Sequence, residues 1–103
     1  NPAIIIQSEV GTNVAAAASG IVTDVANLSE TGTTGTVSIG NGYETTTGLI
    51  ENVNLKKGDK VVAGQLIGTV ASPSAYYIEE GPGVYFKLTQ YGEPINPDTY
   101  FVE

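Results

Sequence analysis

Apolar residues along this chain recur in steps of two, seldom in the steps of three and four that a helix needs. Val84, Phe86 and Leu88 alternate with Tyr85, Lys87 and Thr89. That alternation predicts a strand with one face in a core and the other open to solvent or ligand. Ile21-Val-Thr-Asp-Val25, Thr36-Val-Ser-Ile39, Tyr43-Glu-Thr-Thr-Thr47, Lys60-Val-Val62 and Leu66-Ile-Gly-Thr-Val70 read as further short strands. Asn13-Val-Ala-Ala-Ala-Ala-Ser19 starts like a helix, but Gly20 interrupts it and a β-type run follows at once. The stretch therefore predicts two short strands meeting at a glycine bend.

The connections carry their own chemistry. Gly40-Asn-Gly42 tolerates the positive φ values of a type I′ turn and predicts a tight hairpin into the strand from Tyr43. Lys56-Lys-Gly-Asp59 reads as a second turn, with the Asp59 carboxylate expected to accept from nearby backbone N–H groups. Gly64-Gln65 marks a break, and Ser72-Pro73-Ser74 ends the strand before it. Asn27 to Gly35, nearly devoid of apolar residues, reads as a loop with a mobile tip, and Gly92 to Glu103, with Pro94 and Pro97, reads as coil. The expected fold is one all-β domain spanning 1–103, a small barrel or sandwich of about seven short antiparallel strands without a useful helix.

Composition narrows the function. A chain of 103 residues can bury roughly 65% of its unfolded surface, enough for one modest core. Four lysines, no arginine and eleven carboxylates leave a net charge of −7. Counterion release cannot drive binding of such a surface to phosphates, so nucleic acid and anionic membrane are poor partners. Histidine and cysteine are both absent. Their absence removes thiolate and imidazole zinc sites, Ser-His-Asp and Cys-His nucleophiles, and any disulfide framework. No apolar run is long enough to span a bilayer and no leader pattern precedes the first strand. Since the sequence starts at Asn1 without a methionine, it is expected to be a piece of a longer protein whose anchor or signal lies upstream.

Val14-Ala-Ala-Ala-Ala-Ser-Gly-Ile-Val22, Val37-Ser-Ile-Gly-Asn-Gly-Tyr43, Val53-Asn-Leu-Lys-Lys-Gly-Asp-Lys-Val-Val-Ala-Gly-Gln-Leu-Ile-Gly68 and Pro94-Ile-Asn-Pro97 follow one another along the chain. In that order they resemble successive blocks of a LytM-type (M23) zinc endopeptidase domain. Active members of the family hold zinc with a His-x-x-x-Asp pair and the second histidine of a His-x-His strand. The first histidine of that strand, and another after the Gly-Asn-Gly-Tyr strand, assist catalysis. Aligning Gly11-Thr12 with the family's Gly-Thr puts Asn1 and Ile5 at the first two ligand positions. The later histidine falls at Leu49, and His-x-His reads Gly83-Val84-Tyr85. An amide, an alkyl chain and a phenol cannot lower the pKa of a zinc-bound water. The resemblance therefore implies a pseudoenzyme with no metal, no cofactor and no catalytic residue.

Tyr85 and Lys87 share the strand face that would look into the former active groove. Tyr85 could touch a partner or merely fill the vacated metal pocket. Tyr76 and Tyr77, beside Glu79 and Glu80, could be binding aromatics or pins holding a loop to the core. With Tyr43, these residues are the candidate groove or partner contacts. Asp24, Asp59, Glu79 and Glu80 lack EF-hand spacing and are expected to be a solvated acidic surface.

The resemblance points to an interaction module in the bacterial cell envelope, its partner another envelope protein and peptidoglycan a second candidate. Among known degenerate LytM domains, the stage II sporulation protein Q type is favoured over activators of cell-wall amidases. The acidic surface and the lack of a helical regulatory arm weigh in that direction. Two other classes fare worse. Biotinyl and lipoyl carriers share the Gly-Asp-x-Val-x-x-Gly-Gln half-motif, but no lysine stands at the required hairpin tip after Leu66-Ile-Gly68. A glycosidase would need two carboxyl groups about 5 to 9.5 Å apart, a pairing that the sequence alone does not place.

Overall fold

The computed structural model describes residues 3–96. Among them run nine strands: β1 (Ile4–Gln7), β2 (Asn13–Ala15), β3 (Gly20–Leu28), β4 (Gly32–Gly40), β5 (Tyr43–Glu51), β6 (Lys60–Val61), β7 (Leu66–Val70), β8 (Gly83–Gln90) and β9 (Glu93–Ile95). The helical content described is one 3₁₀ turn, Ala75–Tyr77. All pairings are antiparallel, in the order β1-β8-β5-β4-β3-β6, with β7 bridging β2 and the end of β5 and β9 added to β8.

Register decides which residues share a face. Val37 stands opposite Thr45 and Thr45 opposite Leu88, all three buried. The adjacent row, Thr36, Thr46 and Lys87, points to the other side of the sheet. Against the first face fold β2, β6, β7 and the segment carrying Leu55. Val14, Val61, Ile67 and Val70 there join Val22, Val37, Ile50 and Val84 in the core cluster. Among the described residues the second face has no such strand cover; the turn bearing Tyr77 lies against Tyr85, and the groove described below opens beside it.

The hairpin at Gly40 to Gly42 forms as its sequence demands, with φ 54° at Asn41 and 78° at Gly42. The turn at 56–59 closes as expected too. The Lys56 N–H donates to the Asp59 carboxylate at 2.9 Å, and Gly58 takes φ 94°. At the next break, the Val62 N–H donates to Gln65 Oε1 at 3.0 Å.

Three expectations need correction. The loop read over 27–35 shrinks to residues 29–31, because β3 runs to Leu28 and β4 starts at Gly32. Its threonines are not solvated: Thr31 and Thr34 are buried and share a hydroxyl hydrogen bond of 2.7 Å. The tail does not run as coil from Gly92, since a second tight turn at Tyr91 and Gly92 (φ 50° and 83°) returns the chain as β9. Pro94 is tolerated there because, among the described residues, β9 pairs only with β8. β1 and β9 raise the strand number from about seven to nine among the described residues.

Candidate functional site

β8 is the spine of the site. On one side its Tyr85 stands opposite Ile5 of β1, and on the other opposite Gly48 of β5, next to Leu49. Ile5, Leu49, Gly83 and Tyr85, far apart in sequence, are thereby drawn to one patch. Asn1 lies outside the described residues.

The patch is filled by hydrocarbon and by backbone. A Cβ on residue 83 would lie 2.7 Å from the Ile6 carbonyl oxygen and 2.9 Å from Ile5 Cγ2. Only glycine fits under β1 at this register. Leu49 is 2% exposed and holds φ 59°, a left-handed conformation uncommon for leucine. It is kept there from both sides, its N–H donating to the Thr31 carbonyl and its carbonyl accepting from the Ala71 N–H at 3.0 Å. Gly48 beside it has no room for a side chain, since an added Cβ would meet the Thr31 carbonyl oxygen at 2.9 Å.

Tyr85 is buried, and its ring lies 5.9 Å from that of Tyr77 at 57°. Tyr76 continues the cluster, edge-on to Tyr77 at 4.8 Å, and is 63% exposed. The 3₁₀ turn positions both, and Ser74, the residue just before it, ties it across to the β3–β4 turn by donating its hydroxyl to the Glu30 carbonyl at 2.6 Å. Burial raises the Tyr85 phenol above its ordinary value of 10.0, and the Glu30 charge adds to the rise. Tyr77 is raised in the same way, first by burial and then by Tyr85, Tyr76, Glu30 and Glu80. Both phenols are neutral near pH 7, able to donate a hydrogen bond to a ligand but not to act as phenolate bases.

Beside Tyr85 opens a groove of about 340 Å³, walled by Leu28, Glu30, Thr31, Thr46, Tyr85 and Lys87. Lys87 stands opposite Thr46 on its floor. A larger hollow of about 520 Å³ opens on the other side of the sheet, between Ile4, Ile6, Val14, Val84 and Phe86. It shares none of the candidate residues. Tyr43 stands apart as well, at the far end of β5 opposite Gln90.

Leu28, Glu30 and Thr31 escape the sequence reading because 27–35 reads as a loop, whereas Thr46 reads as a strand residue with nothing to mark it as lining a groove. The signal was present in Thr-Gly-Thr-Thr-Gly-Thr (31–36), where β-branched residues fit a pleated strand. Among the described residues no group of three or more His, Cys, Asp or Glu could hold a metal ion. Nor does any buried side-chain polar atom there lack a partner. What the groove offers is aromatic contact, hydroxyl hydrogen bonding, one ammonium and one carboxylate. Those groups suit holding a ligand.

The model of peptidase family M23 matches residues 1–97. Among solved structures, a point variant of the catalytic domain of EnpA, a prophage-encoded M23 protein from Enterococcus faecalis, is 31% identical. It covers 91% of this chain and 73% of its own, with a TM-score of 0.79. SpoIIQ in its pore-forming complex with SpoIIIAH is 27% identical, covers 85% of this chain and 55% of its own, and has a TM-score of 0.78. The catalytic domain of lysostaphin from Staphylococcus simulans, at 23% identity and a TM-score of 0.78, covers 90% of this chain and 72% of its own, and shares the fold. No curated protein matches by sequence.

Proposed function

Because the chain belongs to peptidase family M23, we propose that it is a catalytically inactive member of that family, serving as a protein-interaction module of the bacterial cell envelope. One observation carries the inactive part. The Ile5 side chain and the β1 backbone occupy the space that a side chain at position 83 would need. The family's first His-x-His histidine cannot stand there without moving β1. Beside it, Ile5 and Tyr85 replace an aspartate and a histidine, so the ligand set that would activate a water is missing from the aligned positions.

The interaction part is supported by the solved assemblies of SpoIIQ with SpoIIIAH, in which a similar domain forms a complex with another protein. An acidic surface of net charge −7 favours a protein partner with basic groups over anionic polymers. Placement outside the cytoplasm belongs to the same reading.

The test is direct. Purified protein is incubated with zinc, desalted, assayed for bound metal, and then given peptidoglycan stem peptides. The expectation is no stoichiometric zinc and no cleavage. Stoichiometric zinc with cleavage would end the proposal. Crosslinking in an envelope extract then reads out the partner, and binding to muropeptides with no protein captured would favour a second reading. In that reading the groove of Tyr85 and Lys87 holds a peptidoglycan fragment without cutting it. Activation of a cell-wall amidase is a third outcome, detected by adding the domain to the amidase.

A further inference from the structure

The β3 strand is nine residues long, yet β6 covers only Gly20 and Ile21 on its outer side. The 56–59 turn takes over the next position, where the Val22 N–H donates to the Asp59 carbonyl and the Val22 carbonyl accepts from the Gly58 N–H. Beyond Val22 that side has no strand neighbour among the described residues. The antiparallel register with β4 then dictates which groups are left over. Val22 turns its backbone away from β4, and past the bulge between Val22 and Asp24 the same holds for Val25 opposite Gly35 and Asn27 opposite Thr33. The outward N–H and C=O groups of Val25 and Asn27, unlike those of Val22, are met by no backbone partner among the described residues.

This edge lacks most of the devices by which proteins blunt one. It contains no lysine and no proline from 23 to 28, and past the bulge its single charge is Asp24. The edges of β1 and β2 are shorter, at four and three residues, and β9 carries Pro94. On the groove side of β3, Asp24 is exposed, Ala26 is small, and Leu28 is 50% exposed and walls the groove.

We propose that the 23–28 edge of β3 is the docking site for an extended strand of a partner protein, with a basic residue facing Asp24 and an aliphatic residue four positions away against Leu28. This rests on the reading of the domain as an interaction module. The main-chain ladder supplies affinity, and the two side-chain positions supply selection. The occupant is a different chain, because two copies each carrying −7 repel one another. Glu30, in the turn just past Leu28, adds to the acidic character of this end.

The probe is the capped peptide acetyl-Thr-Leu-Thr-Val-Thr-Lys-Thr-amide, added to the whole chain while amide hydrogen exchange is followed by NMR. Exchange at Val25 and Asn27 should slow by about tenfold or more, and the same peptide with Glu for Lys should bind more weakly. Asn27→Pro removes an outward N–H without touching the β4 ladder and should weaken binding about tenfold. Should that variant fold poorly, Asp24→Lys serves instead, reversing the preference between the two peptides. Protection absent, protection confined to the edge of β1 or β2, or equal binding by Asn27→Pro would each overturn the assignment. So would protection that grows with protein concentration alone, which would make a second copy the occupant. An envelope protein captured equally by the parent chain and Asn27→Pro would leave the interaction module standing and remove this edge from it.

Discussion

Tyr77 lies across Tyr85 with ring centroids 5.9 Å apart, joining the turn after β7 to the strand that lines the groove. The contact holds two phenols where ionisation is disfavoured, and this gives stability a specific pH dependence. Each phenol has its folded-state pKa raised above the unfolded value of 10.0. Near and above pH 10 the unfolded chain therefore binds fewer protons than the folded one, and stability falls as pH rises. The contribution is intact below pH 10.0 and is lost as pH climbs through the folded-state values. Urea denaturation between neutral and strongly alkaline pH should show this decline, and Tyr77→Phe with Tyr85→Phe should flatten it. A slope unchanged in the double variant would rule the two phenols out as its source.

Gly83→Ala should destabilise the fold by about 1–3 kcal/mol. The new Cβ meets the Ile6 carbonyl oxygen at 2.7 Å, a backbone atom that cannot swing away. Equilibrium urea unfolding at neutral pH measures it, and a change within about 0.5 kcal/mol would mean that β1 is free to shift.

Two other glycines should separate by cause. An alanine Cβ at Gly20 would overlap the Ser38 carbonyl oxygen, whereas at Gly42 it would meet the ring of Tyr91, which is 78% exposed and can rotate out. Gly42 also takes φ 78°, so alanine there carries backbone strain of about 1 kcal/mol. Gly20→Ala should therefore cost clearly more than Gly42→Ala in thermal unfolding.

Leu49→Ala should cost about 2–5 kcal/mol, since the side chain is 2% exposed and its removal leaves a cavity. Leu49→Asn probes the left-handed backbone separately, since asparagine accepts φ 59° more readily but loses the apolar burial. It should fall below the parent in stability, and equal stability would show that backbone strain outweighs burial at this site.

Thr34→Val should cost about 1 kcal/mol or more, because the hydroxyl bonds Thr31 Oγ1 at 2.7 Å and the Gly32 carbonyl at 2.9 Å in a buried turn. Its second signature is faster amide exchange at Leu49, whose N–H donates to the carbonyl of the same Thr31. Faster exchange there without a loss of stability would point to a local loosening of the groove wall.

Local chemistry was readable wherever one residue type answers one backbone demand. Asn41 and Gly42 name their turn because few residues accept positive φ, and Asp59 names its own because the carboxylate reaches an N–H three residues back. The period-two alternation from Val84 to Thr89 placed Tyr85 and Lys87 on one face, and the structure puts both in one groove. The total lack of histidine and cysteine settled which ligands were available before any fold was known. What the one-dimensional pattern could not carry was contact between distant segments. Thr31 and Thr34 read as loop residues until Gly48 brings β5 against them, and nothing in the sequence shows that Ile5 and the Ile6 carbonyl fill the space beside Gly83. Pairing register is a property of two strands at once, so the filled patch at Tyr85 and the uncovered edge of β3 were decided only when the sheet closed.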